Sequence, residues 1–230
     1  MKNVAIITAR GGSKRIPGKN IKDFLGKPII AYSIETALTS GLFEDVIVST
    51  DDNEIAAIAK QYGASVPFMR SIKNADDYAT TADVIIEVLE QLSLNGKKYS
   101  SACCIYPTAP LLNTASLLKG YSLLMTRNYD SVFPVCAFSY PILRSLIFDE
   151  AGKVSMKWPE NLNKRSQDMP KFFHDAGQFY WFNTSGFSNK KKLYTDNSGS
   201  IILNELQVQD IDNEMDWKLA EAKYKLLLES

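Results

Sequence analysis

Continuous apolar runs alternate with stretches of helical period through the N-terminal half of the chain. Residues 3–8 (NVAIIT) form an unbroken apolar run ended by a glycine-rich loop, the pattern of a strand buried on both faces and central to a sheet. Residues 28–40 (PIIAYSIETALTS) then place proline in a first turn, apolar side chains at helical spacing and Gly41 at the stop, which predicts a helix. The rhythm repeats: strand at 45–50 (DVIVST), helix at 53–62 before Gly63, and a short strand at 64–68 (ASVPF). A helix at 83–92 follows, capped by Thr80 or Thr81. Then come a strand at 101–106, a helix at 114–126 and a strand at 130–136. This alternation, with right-handed crossovers, predicts an α/β protein: a three-layer α/β/α sandwich around a mostly parallel, Rossmann-like sheet.

Between residues 137 and 171 the character changes. Pro141, Pro159, Pro170 and a turn at 149–153 (DEAGK) flanked by apolar residues predict a hairpin excursion, suited to a lid or a dimer arm. Strands at 177–182 and 201–206 and an amphipathic helix at 214–229 complete the pattern, and 230 residues predict one large domain carrying that excursion. With 45% hydrophobic residues, such a chain buries roughly 70–75% of the surface its unfolded form exposes. Lys+Arg and Asp+Glu both count 26, so no global field draws the protein to nucleic acid. Three cysteines without a CxxC pair argue against a disulfide framework and a four-cysteine zinc site, and fit a reducing cytoplasm. His174 is the only histidine, which removes every two-histidine metal scheme. The N-terminal apolar run is too short for a secretion signal, and no run is long enough to span a membrane.

Candidate chemistry concentrates at two places. Loop 9–20 (ARGGSKRIPGKN) follows the first strand with three glycines and the cations Arg10, Lys14, Arg15 and Lys19. Glycines let backbone N–H groups approach an anion, and several cations offset a triphosphate, so Arg10, Gly11, Gly12, Ser13, Lys14 and Lys19 read as a polyphosphate cradle. Neither a P-loop nor a GxGxxG fingerprint is present: Ser13 stands where the P-loop needs glycine, and Asn20 where it needs Ser or Thr. The second place is Asp210 and Asp212, whose i, i+2 spacing puts both carboxylates on one face of an extended segment, suiting Mg²⁺. Asp216 reads instead as a cap of the last helix. An EF-hand over 210–221 fails because Met215 occupies the glycine position.

The loop 9–20, together with VSTDD (48–52), ADDYATTADVI (75–85), CCIYPTAPLL (103–112) and VQDIDNEMD (208–216), resembles the CMP-sugar synthetases. These are cytidylyltransferases that activate nine-carbon and related 2-keto sugar acids with CTP. The stretch 172–181 (FFHDAGQFYW) and the CCIY strand most resemble the pseudaminic acid branch of that family. Where sialic acid synthetases carry a glutamine of the sugar pocket this chain has Tyr106, and where they carry an arginine it has Leu112, which weakens N-acetylneuraminate as the acceptor.

The resemblance implies a nucleotidyltransferase with Mg²⁺ on Asp210 and, foremost, Asp212. It places Arg70, Thr80 and Thr81 near cytosine and ribose, and Asn20 near the phosphates or sugar. Lys19, Arg10 and Asp212 are the expected catalytic residues. Tyr106, Arg165, His174, Asp175 and Gln178 are the expected sugar contacts, Arg165 through bidentate pairing with a carboxylate. The family also implies a homodimer. The competing expectations are transfer to N-acetylneuraminate or 3-deoxy-manno-octulosonate, and a non-catalytic nucleotide-binding module.

Overall fold

A computed structural model describes residues 2–76 and 78–229. Among the described residues, eleven strands and six α-helices follow one another: β1 (Asn3–Thr8), β2 (Asp23–Phe24), β3 (Lys27–Pro28), α1 (Ile29–Thr39), β4 (Asp45–Ser49), α2 (Asn53–Gln61), α3 (Thr81–Leu94) and β5 (Ser101–Ile105). The second half continues with α4 (Thr114–Thr126), β6 (Ser131–Ala137), β7 (Leu146–Phe148), β8 (Val154–Met156), β9 (Phe173–Asp175), β10 (Phe179–Asn183), α5 (Thr184–Lys190), β11 (Ser198–Leu203) and α6 (Glu214–Glu229).

The main sheet runs β11-β6-β10-β5-β1-β4, with β9 beside β6. β1 pairs in parallel with β4 and β5, and β11 with β6. β10 lies antiparallel between β5 and β6, so these five neighbours share one direction and only β9 and β10 oppose it. The expected three-layer, mostly parallel architecture is present.

Strand alternation sorts side chains onto two faces. Ala5 and Ile7 of β1, Val46 and Val48 of β4, Cys103 and Ile105 of β5, and Phe179 and Trp181 of β10 pack with α1, α2 and α4. The intervening residues Val4, Ile6, Ile47, Ala102, Cys104, Tyr180 and Phe182 pack with α3 and α5. A third cluster joins Ile16, Phe24, Ile29, Tyr32, Ile211 and Trp217, and so locks the loop after β1 to the segment before α6.

Four sequence expectations change. Residues 64–68 form no strand; Ser65 makes a single bridge to Ile47. The strand expected to begin at 177 begins earlier, as β9, and Gly177 at φ 62 bends it before β10. The 201–206 strand starts at Ser198 and ends at Leu203. Helix α5 was not anticipated: Asn183 caps it by accepting from the amides of Ser185 and Gly186. The excursion carries the expected hairpin, β7 against β8, closed by the turn in which the Asp149 and Lys153 backbones bond.

Candidate active site

The five co-directional strands end on one edge of the sheet, where α/β folds gather their ligands. Loop 9–22 leaves β1 there and folds on itself. Gly18 sits at φ 62, a conformation glycine adopts without strain, and its carbonyl receives the amides of Ile21 and Lys22. Asn20, buried, donates from Nδ2 to the Arg10 carbonyl at 2.8 Å and closes the loop. Ile16 is pinned in the third apolar cluster while its neighbours Ser13, Lys14, Arg15, Lys19 and Asn20 line a cleft of about 320 Å³. Arg10, Arg70, Thr81 and Tyr106 complete its principal walls.

Asp210 and Asp212 arrive from 192 residues downstream of the loop's Lys19 region, and the same alternation explains how. Ile211 is buried beside Ile16, so the flanking carboxylates turn outward. Three contacts then tie the two segments. Lys19 Nζ donates to the Ile211 carbonyl at 2.7 Å, Arg15 pairs with Asp212 at 2.6 Å, and Lys22 pairs with Glu214 at 2.6 Å. The cationic loop and the acidic couplet thus meet at one place. Asn213 caps α6, and Asp216 Oδ2 accepts the amides of both Asp212 and Asn213, so Asp216 also fixes the Asp212 backbone.

Electrostatics follow from this crowding. Burial pushes the Asp210 carboxyl up and the Asp212 charge adds to it, with Lys19 opposing. Burial lowers the Lys19 ammonium, against the pull of Asp212 and Asp210. Arg70 is likewise lowered by burial; its Nε donates to Ser49 Oγ at 3.1 Å, and its guanidinium also reaches the Ser49 carbonyl. Among the described residues no group of three or more His, Cys, Asp or Glu gathers as a metal site. Two hard carboxylate oxygens that repel one another still fit Mg²⁺, which keeps several waters and takes substrate phosphate oxygens beside one or two protein ligands.

Asp210 and Asp212 do not line that first cleft; with His174, Ser139, Glu205 and Lys223 they line a second one of about 410 Å³. His174 there faces Phe138 edge-on, its Nδ1 2.9 Å from the Asp175 carbonyl.

Several expected contacts are placed differently. Gly11 and Gly12 do not line the first cleft; the Gly11 amide donates to Asp51 Oδ1 at 3.0 Å, and a Cβ there would lie 2.7 Å from Asp52 Oδ2. A side chain at position 11 would therefore have to displace that of Asp52. Thr80 caps α3 in a reciprocal box with Asp83 and is also outside the cleft, whereas Thr81 lines it. Arg165 lies on the excursion, exposed, and its fork grips Asp168 at 2.7 and 3.2 Å. Gln178 is buried with its amide donated to the Gln207 carbonyl, because the bend at Gly177 turns it inward. Asp175 spends its carboxylate on the hydroxyls of Tyr180 and Tyr194 and on the Gly177 amide, so it lies behind the wall of the site. Arg15, read from the sequence only as one of the loop's cations, is the direct partner of Asp212. Ser139, Glu205 and Lys223 carried no motif, since only the fold collects them.

A family profile described as cytidylyltransferase matches residues 4–183. The chain belongs to the cytidylyltransferase family. The matched segment of this cytidylyltransferase ends with β10, so the acidic couplet lies beyond it. The chain is 42% identical over 230 residues to the pseudaminic acid cytidylyltransferase of Campylobacter jejuni subsp. jejuni serotype O:2, covering 100% of itself and 99% of that relative. It is 30% identical over 229 residues to the CMP-N,N'-diacetyllegionaminic acid synthase of Legionella pneumophila subsp. pneumophila, covering 98% and 97%. A solved CMP:2-keto-3-deoxy-manno-octonic acid synthetase complexed with CTP superposes with a TM-score of 0.71 at 17% identity over 100% of both chains, which shows the shared fold. Among the described residues, no helix of this cytidylyltransferase is long and apolar enough to cross a membrane.

Proposed function

We propose that this cytidylyltransferase couples CTP to the anomeric hydroxyl of a nine-carbon 2-keto sugar acid, with pseudaminic acid as the preferred acceptor. The observation that carries this reading is the contact of Lys19 and Arg15 with the 210–212 segment, which brings the loop's cations against the acidic couplet. The full-length likeness to a pseudaminic acid cytidylyltransferase supports the choice of acceptor.

In the reaction the anomeric oxygen forms a bond to the α-phosphorus while the bond from that phosphorus to the bridging oxygen breaks. Pyrophosphate leaves and the hydroxyl proton is released. Arg10, Lys14, Arg15 and Lys19 hold the triphosphate, and Lys19 in particular offsets the charge that grows on the leaving group. Arg70, Thr81 and Tyr106 shape the nucleoside end of the cleft. Asp210 and Asp212 would hold Mg²⁺. When bound, that ion offsets phosphate charge and orients the triphosphate. The acceptor occupies the second cleft, beside His174.

We read residues 1–230 as one domain, acting as a homodimer in the cytoplasm. The exposed apolar side chains of the excursion, Leu146, Ile147 and Phe148 among them, support a contact between two copies. Incubation with MgCTP and, separately, pseudaminic acid, N-acetylneuraminate and 3-deoxy-manno-octulosonate tests the acceptor, with the CMP-sugar detected by mass. Product with pseudaminic acid is expected. Its absence there, with product from another acid, reassigns the acceptor.

A further inference from the structure

Arg70 and Thr81 both line the first cleft, and between them the chain adds Asn74, Asp76 and Ala79 to its lining. The first part of this segment is a single 3-10 turn, Ile72–Asn74. Ile72 is 92% exposed, and Ser71 and Lys73 are exposed as well, so apolar burial does not fasten the turn. Polar bonds from α3 do. Glu87 Oε1 accepts the Ser71 amide at 2.9 Å, and Glu87 Oε2 accepts from Asn74 Nδ2 at 2.7 Å. Within the turn the Asn74 amide donates to the Ser71 carbonyl at 3.0 Å, so one carboxylate grips a closed unit at both ends. Glu87 stands one helical turn along α3 from the cleft-lining Val84 and does not itself line the cleft.

A carboxylate suits this task. Its two oxygens only accept hydrogen bonds, so both donors are satisfied at once and the Asn74 carboxamide is held with its nitrogen toward Glu87. Burial alone would raise the Glu87 carboxyl, yet the bonds from Asn74 and Ser71 and the Arg70 charge hold it below its ordinary value, so it is ionised at neutral pH. Arg70 is secured separately, its amide donating to the Thr50 carbonyl at 2.8 Å and its Nε to Ser49 Oγ at 3.1 Å. The end of β4 thus anchors Arg70, and α3 anchors Asn74. We propose that Glu87 is a positioning residue for the nucleotide: from outside the cleft it clamps the 71–74 turn, so that the wall at the nucleoside end is formed before CTP arrives. The entropy of ordering that turn is then lost in folding rather than in binding.

The inference rests on reading the first cleft as the CTP site, and the test separates the two. Wild type, Glu87→Ala and Glu87→Gln are compared. CTP binding is measured by calorimetry, kcat and KM by pyrophosphate release, inhibition by tripolyphosphate in the same assay, and stability in urea. Glu87→Ala is expected to weaken CTP binding and raise KM for CTP by about tenfold, the effect of losing bonds to a charged acceptor. Its kcat, its KM for pseudaminic acid and its inhibition by tripolyphosphate should each change by less than about twofold, because the acceptor lies in the second cleft and the phosphates on loop 9–22. Glu87→Gln keeps one acceptor and should lose about threefold.

Should Glu87→Ala fail to fold, Glu87→Met, closer to glutamate in volume but without the carboxylate, takes its place. Unchanged KM for CTP with a lower urea midpoint would make Glu87 a stability residue only and overturns the inference. Equal losses for CTP and tripolyphosphate also overturn it, since the effect would then not belong to the nucleoside end. A wild type that binds no CTP overturns this inference and the transferase reading together, whereas an active wild type matched by its variants overturns this inference alone.

Discussion

Asp210 and Asp212 differ although one residue separates them. Asp212 has an exposed guanidinium beside it, while the Asp210 carboxyl, turned outward, is raised above the ordinary 3.8 by partial desolvation and by the Asp212 charge. A native-state pKa above the unfolded one means that the folded protein binds the extra proton as pH rises from 3.8, so stability falls through that window. Above it the ionised form persists at a cost. Asp210→Asn is thus expected to unfold at higher denaturant than wild type at neutral pH, with the difference vanishing below pH 3.8, while cytidylyl transfer is lost. Added magnesium chloride should raise the melting temperature of wild type more than that of the variant. Asp212→Ala should keep its circular dichroism and lose pyrophosphate release; undiminished release would remove the metal assignment. The meeting of these two segments was legible because a cationic glycine loop and an alternating acidic pair stand out in the sequence by their spacing. Asp175 and Arg165 were not, since a side chain's partners depend on neighbours that only the fold supplies.

Elements were legible where burial imposed a period. Strand β1 sends Val4 and Ile6 to one face and Ala5 and Ile7 to the other, so its unbroken apolar run follows directly from a sheet covered on both sides. Helix α5 escaped notice because it is a seven-residue helix, TSGFSNK, whose stability comes from the Asn183 cap and buried Phe187. The reversed direction of β10 escaped for another reason: period-2 alternation is the same in either direction. Two substitutions probe packing at this scale. Gly120 lies in α4 where a Cβ would stand 2.9 Å from the Phe179 ring and 3.1 Å from Trp181. Helix propensity alone favours alanine by roughly 1 kcal/mol, but overpacking costs about 1–3 kcal/mol, so Gly120→Ala is expected to be destabilising in urea. Asp52 caps α2 by accepting the amides of Glu54 and Ile55, and Asp52→Ala should cost about 1 kcal/mol in the same measurement.

For the whole molecule, the third apolar cluster makes α6 part of the site rather than an appendage. Trp217 and Ile211 pack with Ile16, so removal of α6 should release the loop cations as well as the acids. Association belongs to this scale too. Light scattering should give twice the chain mass, and replacing Leu146 and Phe148 with serine should return the protein to one copy while leaving its circular dichroism unchanged. The antiparallel insertion of β10 reaches further, into biosynthesis. A nascent chain leaving the ribosome completes β1, β4 and β5 early, yet the partner that covers the far side of β5 emerges only after β6 and the whole excursion. Throughout that interval β5 is an unprotected apolar edge open to pairing with foreign strands, so chaperone demand should fall sharply once residue 183 is translated.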